Sequence, residues 1–140
     1  MALQMTIEEL NAFIDEVFHQ VKGEFVIEDL TEDTLRTRLN VTDKHLRPGG
    51  TVSGPSMFGL ADVAAYYMTL ARIGPKALTV TTSCSIDFMR KPQAGVDLIA
   101  EARLLKLGRS LSVTDVLLYS EGLTKPVARA SVTYSIPPRV

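Results

Sequence analysis

Residues 54–72 read Gly-Pro-Ser-Met-Phe-Gly-Leu-Ala-Asp-Val-Ala-Ala-Tyr-Tyr-Met-Thr-Leu-Ala-Arg, a helical pattern that is apolar nearly all the way round. A helix without a polar face is buried on most sides, so the rest of the chain must wrap it. Its ends are written locally. Ser53 is a good N-cap, Pro55 fits the first turn, and Gly74-Pro75 stops the run. Gly59, Ala61, Ala64, Ala65 and Ala71 are small enough to let strands approach closely. Asp62 is the helix's only acid. Burying a lone carboxylate is costly unless it is hydrogen-bonded or put to use, which makes Asp62 the first candidate for chemistry.

The wrapping is legible on both sides of this helix. Thr6 and Glu9 make a capping box, and Ile7, Leu10, Ile14, Val17, Phe18 and Val21 recur at helical spacing before Gly23 ends a first helix. Strands over 25–30 and 34–41 form a hairpin turning at Glu32-Asp33, with Leu35, Thr37, Leu39 and Val41 on one face and Arg36, Arg38 and Asn40 on the other. After Pro75 strands are expected over 78–89, 96–107, 110–120 and 126–136. In the first of these Val80, Thr82, Cys84, Ile86 and Phe88 oppose Thr81, Ser83, Ser85 and Asp87; in the last Ala128, Ala130, Val132, Tyr134 and Ile136 oppose Arg129, Ser131, Thr133 and Ser135. Long consecutive strands with short turns predict an antiparallel meander with one face on the buried helix. The fold class is α+β, and with no linker or repeat the 140 residues make one domain, 1–140.

Composition narrows the function. The net charge of −1 does not provide the clustered base of a nucleic-acid footprint. No apolar stretch reaches membrane length and no basic segment leads an apolar run at the N-terminus, so the expectation is a cytoplasmic protein without a membrane partner. Cys84 is the only cysteine and, on an apolar strand face, packs. His19 and His45 stand far apart with no paired cysteine, so neither a metal site nor a cofactor is expected.

The loop before the helix, His45-Leu46-Arg47-Pro48-Gly49-Gly50-Thr51-Val52-Ser53-Gly54, delivers the chain to a helix start that carries unpaired donors and a partial positive charge. If the Ser53 hydroxyl takes the amide of Ser56, the amide of Gly54 points outward at any developing negative charge. Ser53 itself reads as a cap rather than a nucleophile, since no histidine is forced to serve as its base.

A long apolar helix wrapped by a curved antiparallel sheet is the hotdog architecture, and the whole chain resembles the PaaI-type hotdog thioesterases, which hydrolyse acyl-CoA thioesters. That family runs a loop of the form His-x-Asn-x-x-Gly-x-x-His-Gly-Gly into the helix, followed by Leu-x-Asp. This chain matches at Gly50, Gly54, Leu60 and Asp62, and departs with Arg47 for the asparagine, Ser53 for the histidine and Pro55 for the second glycine. Ile86-Asp87-Phe88-Met89-Arg90-Lys91-Pro92 resembles the family's strand ending in an arginine-proline turn, and Leu107-Gly108-Arg109-Ser110 its Gly-Arg hairpin.

The resemblance implies roles. Gly54 supplies the amide that polarises the thioester carbonyl, Asp62 activates water or attacks directly across a dimer interface, and Thr82 positions the water. His45, Arg47, Gly50 and Ser53 line the substrate loop. Arg90, Lys91 and Arg109 meet the phosphates of CoA at one mouth. It also implies a homodimer, formed by pairing of the strand over 78–89 with its copy, stacking further into a homotetramer. Two alternatives stay open: a non-catalytic acyl-CoA binding or regulatory module, for which the three loop departures argue, and a hydratase or dehydratase, against which the absence of histidine from residues 54–72 argues.

Overall fold

The computed structural model describes residues 2–138. Thr6 and Glu9 exchange hydrogen bonds of 3.1 and 3.0 Å, the expected reciprocal cap, and start α1 (Ile7–Val17), which buries Leu10 and Ile14. The helix is shorter than its apolar spacing suggested: Phe18 leaves helical geometry, and a single 3₁₀ turn, His19–Val21, completes the run. β1 (Phe25–Leu30) and β2 (Thr34–Leu39) form the hairpin, closed by the Thr31 amide on the Thr34 carbonyl at 2.8 Å. Leu35, Thr37 and Leu39 face inward, at 2% exposure or less.

α2 (Gly54–Ile73) lies under the sheet, with every residue from 63 to 72 buried. At its end Arg72 donates to the Glu32 carbonyl at 2.7 Å and to the Asp33 carboxylate at 3.3 Å, tying the helix to the β1–β2 turn. Among the described residues no helix is long and apolar enough to cross a membrane.

β3 (Val80–Phe88), β4 (Leu98–Leu107), β5 (Leu111–Ser120) and β6 (Ala128–Ser135) complete one six-stranded antiparallel sheet in the order β1-β2-β4-β5-β6-β3. Only β4-β5-β6 is the expected meander. β3 does not pair with β4: it lies at the far edge against β6, while β4 takes β2 on its free side, Leu39 opposite Leu98. The helix accounts for this. α2 carries the chain from β2 beneath the sheet, touching β2, β4, β5, β6 and β3, and so delivers β3 to the opposite edge. Its polar residues suit an edge, since Ser and Thr on both sides leave little to bury.

Candidate active site

Each donor at the start of α2 has a traceable fate. The Ser53 amide donates to the His45 carbonyl at 2.8 Å, the Ser56 amide to the Ser53 hydroxyl at 3.3 Å and the Met57 amide to the Ser53 carbonyl at 3.0 Å. Pro55 has none to give. The Gly54 amide takes no partner among the described residues and remains at the positive end of a 20-residue helix. Gly49 and Gly50, at φ of 103° and 84°, occupy backbone that side chains rarely adopt, and the Gly50 amide closes its own turn on the Arg47 carbonyl at 3.0 Å.

Beside Gly54 opens a groove of about 540 Å³ whose walls include Arg47, Met57, Phe88, Arg90 and Lys91, with no acidic residue among its lining. The loop before α2 and the segment after β3 are brought together here. Arg90 is fixed by a 2.8 Å bond to the Pro126 carbonyl.

Asp62, two helical turns further on, accepts from the Thr81 hydroxyl at 2.7 Å and the Tyr134 phenol at 2.7 Å, both on Oδ1. The second oxygen takes no hydrogen bond among the described residues. The hydroxyl on Asp62 is that of Thr81; Thr82, expected to position the water, does not touch the carboxylate. Strict alternation fails because the β3–β6 register slips at this point: Thr81 opposes Tyr134 but Ser83 opposes Thr133, and Thr82 turns its hydroxyl onto the Thr133 carbonyl at 3.3 Å. Burial, then the negative charge of Asp62, hold the Tyr134 phenol far above its ordinary range, so it stays a donor. The same two causes raise the Cys84 thiol, which keeps it neutral.

Two expected residues are elsewhere. His45 is 5% exposed, with Nδ1 accepting the Thr42 amide at 2.9 Å and Nε2 at 2.9 Å from the Glu24 carboxylate, so its ring braces the loop and leaves no nitrogen for a ligand. Arg109 lies by Arg72, Lys76 and Ile136 at the other end of α2, away from Arg90 and Lys91. The strand between explains it: β4 has 10 residues, a rise of about 33 Å, and the turns before and after one strand fall at opposite ends of a sheet. Tyr134 and Thr81 escaped the sequence reading. The available signal was Tyr134 itself, an inward-facing tyrosine whose hydroxyl needs a partner when buried. Among the described residues no three His, Cys, Asp or Glu side chains converge as a metal site would need.

Comparison with known proteins gives this geometry a context. A family model described as thioesterase superfamily matches residues 49–127. A Pseudomonas aeruginosa protein assigned as an esterase is 30% identical over 116 residues, 82% of this chain and 84% of its own. The crystal structure of a Silicibacter protein assigned as a thioesterase superposes with a TM-score of 0.93 at 58% identity, over 99% of this chain and 96% of that one. The phenylacetic acid degradation protein PaaI of Thermus thermophilus gives a TM-score of 0.70 at 26% identity, over 90% and 99%. The stretch matched by the family model opens in the glycine loop, contains α2 with its acid and β3 with Thr81, and ends just before the strand that carries Tyr134; with the match to the Silicibacter structure, the chain belongs to the thioesterase superfamily and is a thioester hydrolase.

Proposed function

We propose that the chain is an acyl-CoA thioesterase whose active site is built across two copies of it. Asp62 of one protomer activates the water, and the Gly54 amide of the other binds the thioester oxygen. One observation carries this reading. Gly54 and Asp62 each keep an unused hydrogen-bonding valence, yet they stand eight residues apart on one helix, a rise of about 12 Å, too far to serve one carbonyl. The edge beside Asp62 supplies a way to join two copies, since β3 has no strand on its outer side among the described residues, and Leu78, Val80 and Phe88 are 80%, 53% and 52% exposed.

In this arrangement the free oxygen of Asp62 takes a proton from water as the water oxygen bonds to the carbonyl carbon. Charge gathers on the carbonyl oxygen, where the Gly54 amide and the helix N-terminus stabilise it. When the intermediate collapses, the C–S bond breaks and the proton goes to sulfur, releasing the acid and CoA. Arg47, Arg90 and Lys91 supply the groove with charge for the CoA phosphates. The enzyme, on this reading, acts in the cytoplasm and draws on neither metal nor cofactor.

Release of free thiol from a panel of acyl-CoA thioesters tests the reading. Asp62→Asn should lower kcat at least about a hundredfold while CoA binding persists, as loss of a positioned base predicts. Normal turnover in that variant overturns the mechanism.

A further inference from the structure

A carboxylate that serves as a base must present one chosen oxygen, and Asp62 gets its orientation from the sheet rather than from its own helix. Both hydrogen bonds that its carboxylate accepts among the described residues come from opposite strands of the β3–β6 pair, and both end on Oδ1. The two donors differ in stiffness. Thr81 is exposed on the edge strand of a single copy, and no stacked ring holds its short side chain. Tyr134 is 5% exposed, and its ring stacks on Tyr66 with centroids 5.6 Å apart and planes at 29°. Tyr66 is held in turn by its hydroxyl on the Ala77 carbonyl at 3.3 Å. The phenol has one hydrogen and two acceptors in reach, Oδ1 at 2.7 Å and the Asp62 carbonyl at 3.0 Å; the shorter, charged acceptor is the stronger partner.

We propose that Tyr134 is a positioning residue for the hydrolytic step: its phenol hydrogen fixes Oδ1 of Asp62, so that Oδ2 is the oxygen that meets the water. The inference rests on the reading of Asp62 as the base, and a double-mutant cycle keeps the two separable. Tyr134→Phe preserves the ring and removes only the hydroxyl. It should lower kcat about tenfold with KM changed less than about twofold, because a misaimed base weakens the transition state and not substrate binding. In an Asp62→Asn background the same change should alter the residual kcat by less than about twofold, since the group through which Tyr134 acts has gone. A tenfold loss repeated in both backgrounds means that Tyr134 acts through packing, and the proposal fails; an unchanged kcat in Tyr134→Phe also overturns it. Normal turnover in Asp62→Asn alone removes the base reading and the proposal with it. Thr81→Val gives a check that leaves Tyr134 in place. With the phenol as sole donor kcat should stay within about threefold, whereas a fall to the Asp62→Asn level shows that Thr81 sets the carboxylate and overturns the assignment.

Discussion

His45 shows how a residue near a site can be structural. The Thr42 amide donates to Nδ1, so the ring hydrogen sits on Nε2 and is given to Glu24, which also takes Lys44 at 2.9 Å. Burial pushes the Glu24 carboxyl up, but the hydrogen bonds from His45 and Lys44 outweigh it and hold the group below its usual value. A carboxylate depressed in the folded state stabilises the fold above its unfolded pKa of about 4.3, and that contribution disappears as pH falls through the folded value. Glu24→Gln should therefore reduce stability by about 1 kcal/mol at pH 7, with the deficit closing below about pH 4. Denaturant melts at the two pH values check it, and an equal deficit at both refutes it. His45→Ala, by the same argument, should lower stability far more than it alters KM, because no ring nitrogen faces the groove. At this scale the sequence made the acid plain, since a lone carboxylate in an apolar helix stands out by contrast. Its two hydroxyl partners were hidden: Thr81 by a register slip that alternation cannot anticipate, and Tyr134 by lying 72 residues away in the chain.

Among the elements, α2 was the most legible because both its ends depend on local chemistry. Ser53 caps it, the helix runs Gly54–Ile73, and Gly74 ends it at φ 94°, against an expected 54–72. Ser53 also offers a clean distinction between capping and catalysis. Its hydroxyl accepts the Ser56 amide at 3.3 Å and lies 3.1 Å from the Ser56 hydroxyl, contacts that belong to a cap. Ser53→Ala should lose about 1 kcal/mol of stability and keep its turnover within about tenfold. Complete loss of turnover in a folded variant would mark Ser53 as the nucleophile. Strand order was the part that local patterns did not carry. Every strand after α2 was found to within about two residues at each end, but which strand lies beside which follows from where the helix delivers the chain, and only packing of the whole inner face decides that. The same dependence misplaced Arg109, since a turn's neighbours across a sheet cannot be read from the turn.

On the proposed mechanism a single copy holds the halves of two sites and no complete one, which would make assembly a condition of activity rather than an accompaniment to it. Among the described residues β3 leaves a nine-residue edge unpaired, with Val80, its first residue, half-exposed. Light scattering should report a dimer or a stack of dimers, and Val80→Lys, which puts a charge into the proposed seam, should shift the population to monomer and abolish turnover although Asp62 and Gly54 are untouched. A more direct test removes one half-site at a time. Gly54→Pro deletes the amide at a helix position where proline is accepted, and Ser53 already has the extended backbone, ψ 157°, that a residue before proline prefers. Asp62→Asn disables the other half. Each variant alone should be nearly inactive. Refolded together in equal amounts they form hybrids in half of the dimers, and each hybrid keeps one intact site out of two, so the mixture should recover about a quarter of wild-type activity. The same mixture prepared without exchange of subunits should recover nothing. If hybrids are shown to form and the activity stays at the level of the parents, Asp62 and Gly54 do not work across an interface, and the two-copy site is wrong.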